Sequence, residues 1–111
     1  MIKSSCRYRF TPTPEGLVVS VSGEIDHHSA SGMRREVDNI VWNRTPTHLI
    51  LDLSEVEFMD SSGLGFIMGR YALMREIGGS LSLRNPSAPV MKMLTLTGFD
   101  KKVRIIRSNN Y

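Results

Sequence analysis

Apolar and polar positions change period several times along the chain, and each change marks an element. Residues 7–10 and 17–22 read as extended; in the second run Leu17, Val19 and Val21 alternate with Val18, Ser20 and Ser22, giving one apolar face. Between them Thr11-Pro12-Thr13-Pro14-Glu15-Gly16 has the chemistry of a turn, which predicts a hairpin. Met33, Val37, Ile40 and Val41 then recur at three- and four-residue spacing, predicting a helix that follows Ser29 as its N-cap, with Pro46 closing the connection. Leu49-Ile50-Leu51-Asp52-Leu53 is a nearly continuous apolar run, the pattern of a strand covered on both faces. Leu64, Ile67, Met68 and Tyr71 form the stripe of a second helix that stops at Gly78-Gly79. Residues 80–84 make a short strand. Ser87 and Pro89 open a third helix ending at Gly98, and Val103-Arg104-Ile105-Ile106 is the last strand candidate.

Strands alternating with helices predict an α/β fold: a mixed, largely parallel sheet of four to five strands, with crossover helices packed mainly on one face. No repeat or linker interrupts the 111 residues, so one domain is expected over 1–111, with a core at about 7–107 and an N-terminal hairpin arm at 1–16. The opening Met1-Ile2-Lys3-Ser4-Ser5-Cys6-Arg7 is too polar for a signal peptide, and no apolar run approaches the roughly eighteen residues needed to cross a bilayer. Cys6 is the single cysteine, so an internal disulfide is impossible and a cytoplasmic location is expected. The net charge of +3 raises the question of nucleic acid. The basic residues, such as Arg34, Arg70, Arg84 and Arg104, are scattered among acidic ones without a nucleic-acid module, so an acidic protein partner is the better use of the surplus.

Two segments read as neither plain core nor plain surface: Gly23-Glu24-Ile25-Asp26-His27-His28-Ser29-Ala30 and Phe58-Met59-Asp60-Ser61-Ser62-Gly63-Leu64-Gly65. Each lies where a strand gives way to a helix, at the strand's carboxyl end, where α/β proteins usually meet their ligands. If the two strands are neighbours, Asp26 and Ser61 share a rim. Asp60 or Ser61 is expected to cap the second helix. A phosphate on such a serine is accommodated by free amides and the helix dipole, so modification should leave the helix folded and act on whatever docks there.

Enzyme chemistry fits poorly. The serines lack a Gly-x-Ser-x-Gly elbow, Asp60 beside Ser61 makes no triad, and Gly63, Gly65 and Gly69 miss the Gly-x-Gly-x-x-Gly spacing. These glycines are expected to permit a tight turn and close packing of helix on sheet. Adjacent His27 and His28 point in different directions and have few donors nearby, so no metal is expected. His48 reads as surface or satisfied core, Met68, Met74, Met91 and Met93 as core filling, and Trp42 as packing over the sheet edge.

The two segments, together with Ile77-Gly78-Gly79 and Thr97-Gly98-Phe99, resemble the STAS-domain anti-sigma-factor antagonists (anti-anti-sigma factors) of the SpoIIAA type, over roughly residues 17–106. The resemblance implies a partner-switching cycle in transcription regulation, as in sporulation. The unmodified protein binds an anti-sigma factor that is also a serine kinase and frees the sigma factor. The kinase then uses ATP to phosphorylate the first serine after the motif aspartate, here Ser61, and a PP2C-type phosphatase reverses the step. Asp26 is implied to lie beside the acceptor and help contact the kinase, with Asp60, Ser62, Gly63, Leu64 and Gly65 completing the contact. No cofactor, metal, membrane or nucleic acid is implied for the chain itself, because ATP belongs to the kinase. The chain departs from the pattern in its N-terminal residues, including Pro12 and Pro14, and in stopping at Ser108-Asn109-Asn110-Tyr111, where relatives continue into a helix. Residue chemistry alone does not separate Ser61 from Ser62; the motif match assigns Ser61. The alternatives are a STAS module of another signalling scaffold and, from other classes, a small nucleotide-hydrolysing enzyme or a nucleic-acid binder.

Overall fold

A computed structural model describes residues 6–14 and 16–108. Strand β1 (Arg7–Pro12) and strand β2 (Gly16–Ile25) are followed by helix α1 (His27–Arg44), strand β3 (His48–Met59), helix α2 (Ser61–Glu76), strand β4 (Ser80–Arg84), helix α3 (Ala88–Thr97), a 3-10 turn (Phe99–Lys101) and strand β5 (Arg104–Ile106). The five strands lie in sequence order, β1 antiparallel to β2 and the rest parallel. The hairpin forms as its turn residues require, pairing Arg7 with Ser22 through Pro12 with Leu17. Tyr111 and the other residues beyond 108 lie outside the described residues, as do 1–5 of the N-terminal arm.

Each parallel strand is reached by a crossover stepping in the same direction across the sheet. Right-handed crossovers of that kind put all the helices on one face. The core is accordingly one cluster: Val19, Val21, Leu49, Leu51, Leu53 and Leu83 of the sheet meet Met33 and Val37 of α1, Ile67 and Met74 of α2, and Val90 and Leu94 of α3. Each such side chain contributes roughly 1.5–3 kcal/mol on burial. The other face is largely polar apart from the Val18–Ile50 pair. Ser20, Asp52 and Arg84 lie in one row across β2, β3 and β4, and Arg84 Nε pairs with Asp52 at 2.8 Å. The apolar run 49–53 is therefore not covered on both faces as its pattern predicts: Leu49, Leu51 and Leu53 are buried while Ile50 and Asp52 are only half-buried.

Other expectations shift for identifiable reasons. Helix α1 starts at His27, with Asp26 as N-cap and Ser29 in the first turn, not as the cap. Met68 is exposed, because the inward face of α2 runs through Gly63, Phe66, Ile67, Arg70 and Met74. Met74 is fully buried and Met91 and Met93 pack partly against the core. Trp42 is 55% exposed and is not among the hydrophobic residues packed against the core. His48 opens β3 and is satisfied by the Ser80 and Ser82 hydroxyls of the neighbouring strand.

Candidate functional site

Strands β2 and β3 run beyond their apolar segments and end level with each other, Ile25 opposite Met59. Two irregularities in their pairing accompany the extension, and Gly23 beside them takes φ +89°, a left-handed conformation that glycine adopts without cost. The chain leaving β3 stays tied to β2, with the Asp60 N–H donating to the Ile25 carbonyl at 3.2 Å. One rim of the sheet therefore carries two helix starts side by side, each capped by an aspartate.

The α1 cap is reciprocal. Asp26 Oδ1 accepts from the Ser29 N–H at 2.9 Å, and Ser29 Oγ accepts from the Asp26 N–H at 3.1 Å. The Ser29 hydroxyl also lies 3.0 Å from Asp26 Oδ1. The Ser29 N–H first, then its hydroxyl and the His28 N–H, hold the Asp26 carboxyl below the usual aspartate range. At the neighbouring helix Asp60 Oδ1 accepts from the Ser62 N–H at 2.8 Å. Both carboxylates are thereby fixed in place by the helix starts they cap, and neither accepts from the Ser61 or Ser62 hydroxyl.

The two serines differ. Ser61, the first residue of α2, is exposed, and among the described residues its hydroxyl has no hydrogen-bond partner. Ser62 is half-buried and lines a groove of about 340 Å³ between α1 and α2. Gly63 and Leu64 are turned inward. A Cβ on Gly63 would stand 2.1 Å from Met59 Cγ and 3.1 Å from Ile25 Cγ2, so this glycine lets α2 close onto the ends of β2 and β3. Leu64 joins the core. Gly65 is exposed and, like Gly69, would meet nothing within 4 Å if it carried a Cβ. Close packing on the sheet thus accounts for Gly63 and not for Gly65 or Gly69.

Sequence reasoning missed three features. Arg70 is 6% exposed on α2; its Nε lies 2.8 Å from Asp38 Oδ1 on α1, and its guanidinium stands over the Phe66 ring. This pair locks α1 to α2 under the groove. Arg34 lies on the groove wall. Phe58, two residues before Asp60, exposes an aromatic ring at the same end of β3, 51% accessible. A larger depression of about 610 Å³, including Arg9, Ser20 and Asp52, lies on the uncovered face of the sheet and not on the rim. Among the described residues no group of three or more His, Cys, Asp and Glu is placed to hold a metal ion, and no helix is long and apolar enough to cross a membrane.

The STAS domain family profile matches residues 8–110. This chain belongs to the STAS-domain family. It is similar to the anti-sigma F factor antagonist of Paenibacillus polymyxa, 40% identical over 85 residues that cover 77% of this chain and 73% of the relative. It is similar also to the anti-sigma-B factor antagonist of Bacillus subtilis, 34% identical over 72% of each chain. Unphosphorylated SpoIIAA superposes with a TM-score of 0.82 at 25% identity, covering 94% of this chain and 90% of that one. The phosphorylated form of the Bacillus SpoIIAA gives 0.77 at 26% identity, covering 94% and 93%. This STAS domain therefore has the fold that SpoIIAA has in both states, and the relatives that resemble it by sequence are named as regulatory proteins.

Proposed function

We propose that this STAS domain is an anti-sigma-factor antagonist of the cytoplasm whose partner is an anti-sigma factor that is also a serine kinase. The unmodified form binds that partner and frees a sigma factor. The kinase transfers the γ-phosphoryl group of ATP to Ser61 Oγ: the new O–P bond forms, ADP leaves, and the hydroxyl proton passes to a base of the kinase. The phosphorylated form lets go until a PP2C-type phosphatase hydrolyses the ester. The chain itself is no enzyme and takes no cofactor or metal.

The observation that carries this reading is the position of Ser61, an exposed, unbonded hydroxyl at a helix start on a rim fixed by two capped aspartates. The names of the sequence relatives support the choice of partner. The physics supports a switch without refolding. A phosphoserine adds roughly −1.5 to −2 charges, and the positive end of the α2 dipole stabilises that charge at the helix start. A partner carboxylate about 4 Å away, at an effective dielectric of 20, is repelled by roughly 4 kcal/mol per unit charge. At about 1.4 kcal/mol per decade that is near a thousandfold in affinity.

The test is a pair of substitutions with the anti-sigma factor as ligand. Ser61→Ala should bind like the unmodified protein and take up no phosphate from ATP, and Ser61→Asp should bind at least tenfold more weakly. Phosphate uptake by Ser61→Ala, or undiminished binding by Ser61→Asp, overturns the assignment.

A further inference from the structure

Helix α2 carries two glycines that its own packing does not use. Gly65 and Gly69 stand four residues apart, on one face, with open space where each Cβ would be. Interior glycine weakens a helix relative to alanine, so the chain bears this loss twice on the surface beside the capped rim. Both glycines line the groove between α1 and α2, and Ser62 lies at its upper end. Arg34 and His27 form the α1 side and Arg70 the floor, with Asp38 balancing Arg70 alone. Among the described residues no carboxylate lines the groove, whose charge is positive through Arg34.

We propose that this groove receives a protruding acidic side chain, Glu or Asp, of the anti-sigma factor, and that Gly65 and Gly69 are there to let the partner's backbone approach α2. The inference rests on the antagonist reading above and adds the chemistry of the contact. Arg34 supplies the charge that the carboxylate meets, and the missing Cβ atoms supply the depth. Ser61 precedes Gly65 by four residues and so stands one turn along the same face of α2. A phosphoryl group there faces the entering carboxylate with like charge. Release then follows from the geometry of the groove, with no change in the fold.

The experiment uses the 111-residue chain and a purified anti-sigma factor kinase, with affinities read by titration calorimetry at two salt concentrations. Gly69→Leu should fold at least as stably as wild type and bind at least tenfold more weakly. Arg34→Gln should weaken binding about tenfold and Arg34→Glu by more, with a smaller dependence on salt than wild type. Lys92→Glu, on the exposed side of α3, should bind as wild type does. Full-strength binding by Gly69→Leu removes the groove from the interface, and equal or tighter binding by Arg34→Glu shows that the occupant is not acidic. If either result appears while Ser61→Asp still releases the partner, this inference fails and the antagonist reading stands. A wild-type chain that binds no anti-sigma factor overturns both.

Discussion

Three glycines of one helix offer a test of opposite signs from one chemical change. In Gly63→Ala the new methyl group lies 2.1 Å from Met59 Cγ and 2.8 Å from Met59 Sδ. Carbon atoms in contact prefer about 3.5–4.0 Å, so the Met59 side chain must withdraw by roughly 1.5 Å. It has nowhere open to go: Met59 is 4% exposed, and Ile25, 3.1 Å from the same methyl, is fully buried. Overpacking of this kind costs about 1–3 kcal/mol. The helix propensity gained on replacing glycine recovers about 0.5–1 kcal/mol, which from the middle of that range leaves a net loss of about 1–1.5 kcal/mol. Gly65→Ala and Gly69→Ala meet nothing within 4 Å, so only the propensity remains and each should gain about 0.5–1 kcal/mol. Urea unfolding followed by circular dichroism gives these differences, and a domain of this size should show melting shifts of about 4–6 °C per kcal/mol. A Gly63→Ala variant as stable as wild type, or a Gly65→Ala variant less stable than wild type, refutes the packing argument and removes the reason for assigning these glycines different roles.

Further predictions follow from the ion pairs and caps. Ser29→Ala removes one half of the reciprocal cap on α1 and should cost about 1 kcal/mol in urea unfolding. It should also slow phosphorylation of Ser61, because Asp26 loses the hydroxyl that fixes it. Asp38→Ala strands the Arg70 guanidinium, whose side chain is 7% exposed. A fully buried pair broken in this way costs about 3–5 kcal/mol; because the Asp38 side chain is 30% exposed, about 2 kcal/mol is expected. The double variant with Arg70→Met should recover part of that loss, which a double-mutant cycle measures. For Asp52, burial acts to raise the carboxyl, but the Ser54 N–H and hydroxyl and the Arg84 guanidinium outweigh it and hold the group below its ordinary value of 3.8. Its contribution to stability is thus present at neutral pH and lost as pH falls through the depressed value. Asp52→Asn should be less stable than wild type near neutrality, and the gap should close below about pH 4 in urea midpoints measured across the acid range.

Strand and helix order were legible because each element carries its own period and its own stop: Pro12 and Pro14 in the hairpin turn, Pro46 before β3, Gly78 and Gly98 after helices. The rim was legible too, since Asp26 and Asp60 each follow a strand and precede a helix. The start of α1 was misplaced because Asp26 and Ser29 are both good caps, and only the bonds between them show which one leads. The stripe Leu64, Ile67, Met68 and Tyr71 gives α2 a plausible inward face. The face actually buried is rotated toward Arg70, a charged residue that periodicity counts as surface and that Asp38 of another helix makes tolerable inside. Gly63, Gly65 and Gly69 look alike in sequence; what separates them is the presence of Met59 and Ile25 behind one and open space beside the others. The polar face of the sheet follows from all crossovers stepping one way, a property of the whole topology that the apolar run 49–53 does not carry.

The central claim is that a single phosphate on Ser61 ends the chain's hold on its partner. The measurement that tests it most directly is site-localised mass spectrometry of the wild-type protein after incubation with the anti-sigma factor kinase and ATP, with the free and kinase-bound fractions separated first. The account predicts one phosphate, on Ser61, confined to the free fraction. A phosphate on Ser62, or Ser61-phosphorylated protein still bound to the kinase, contradicts it.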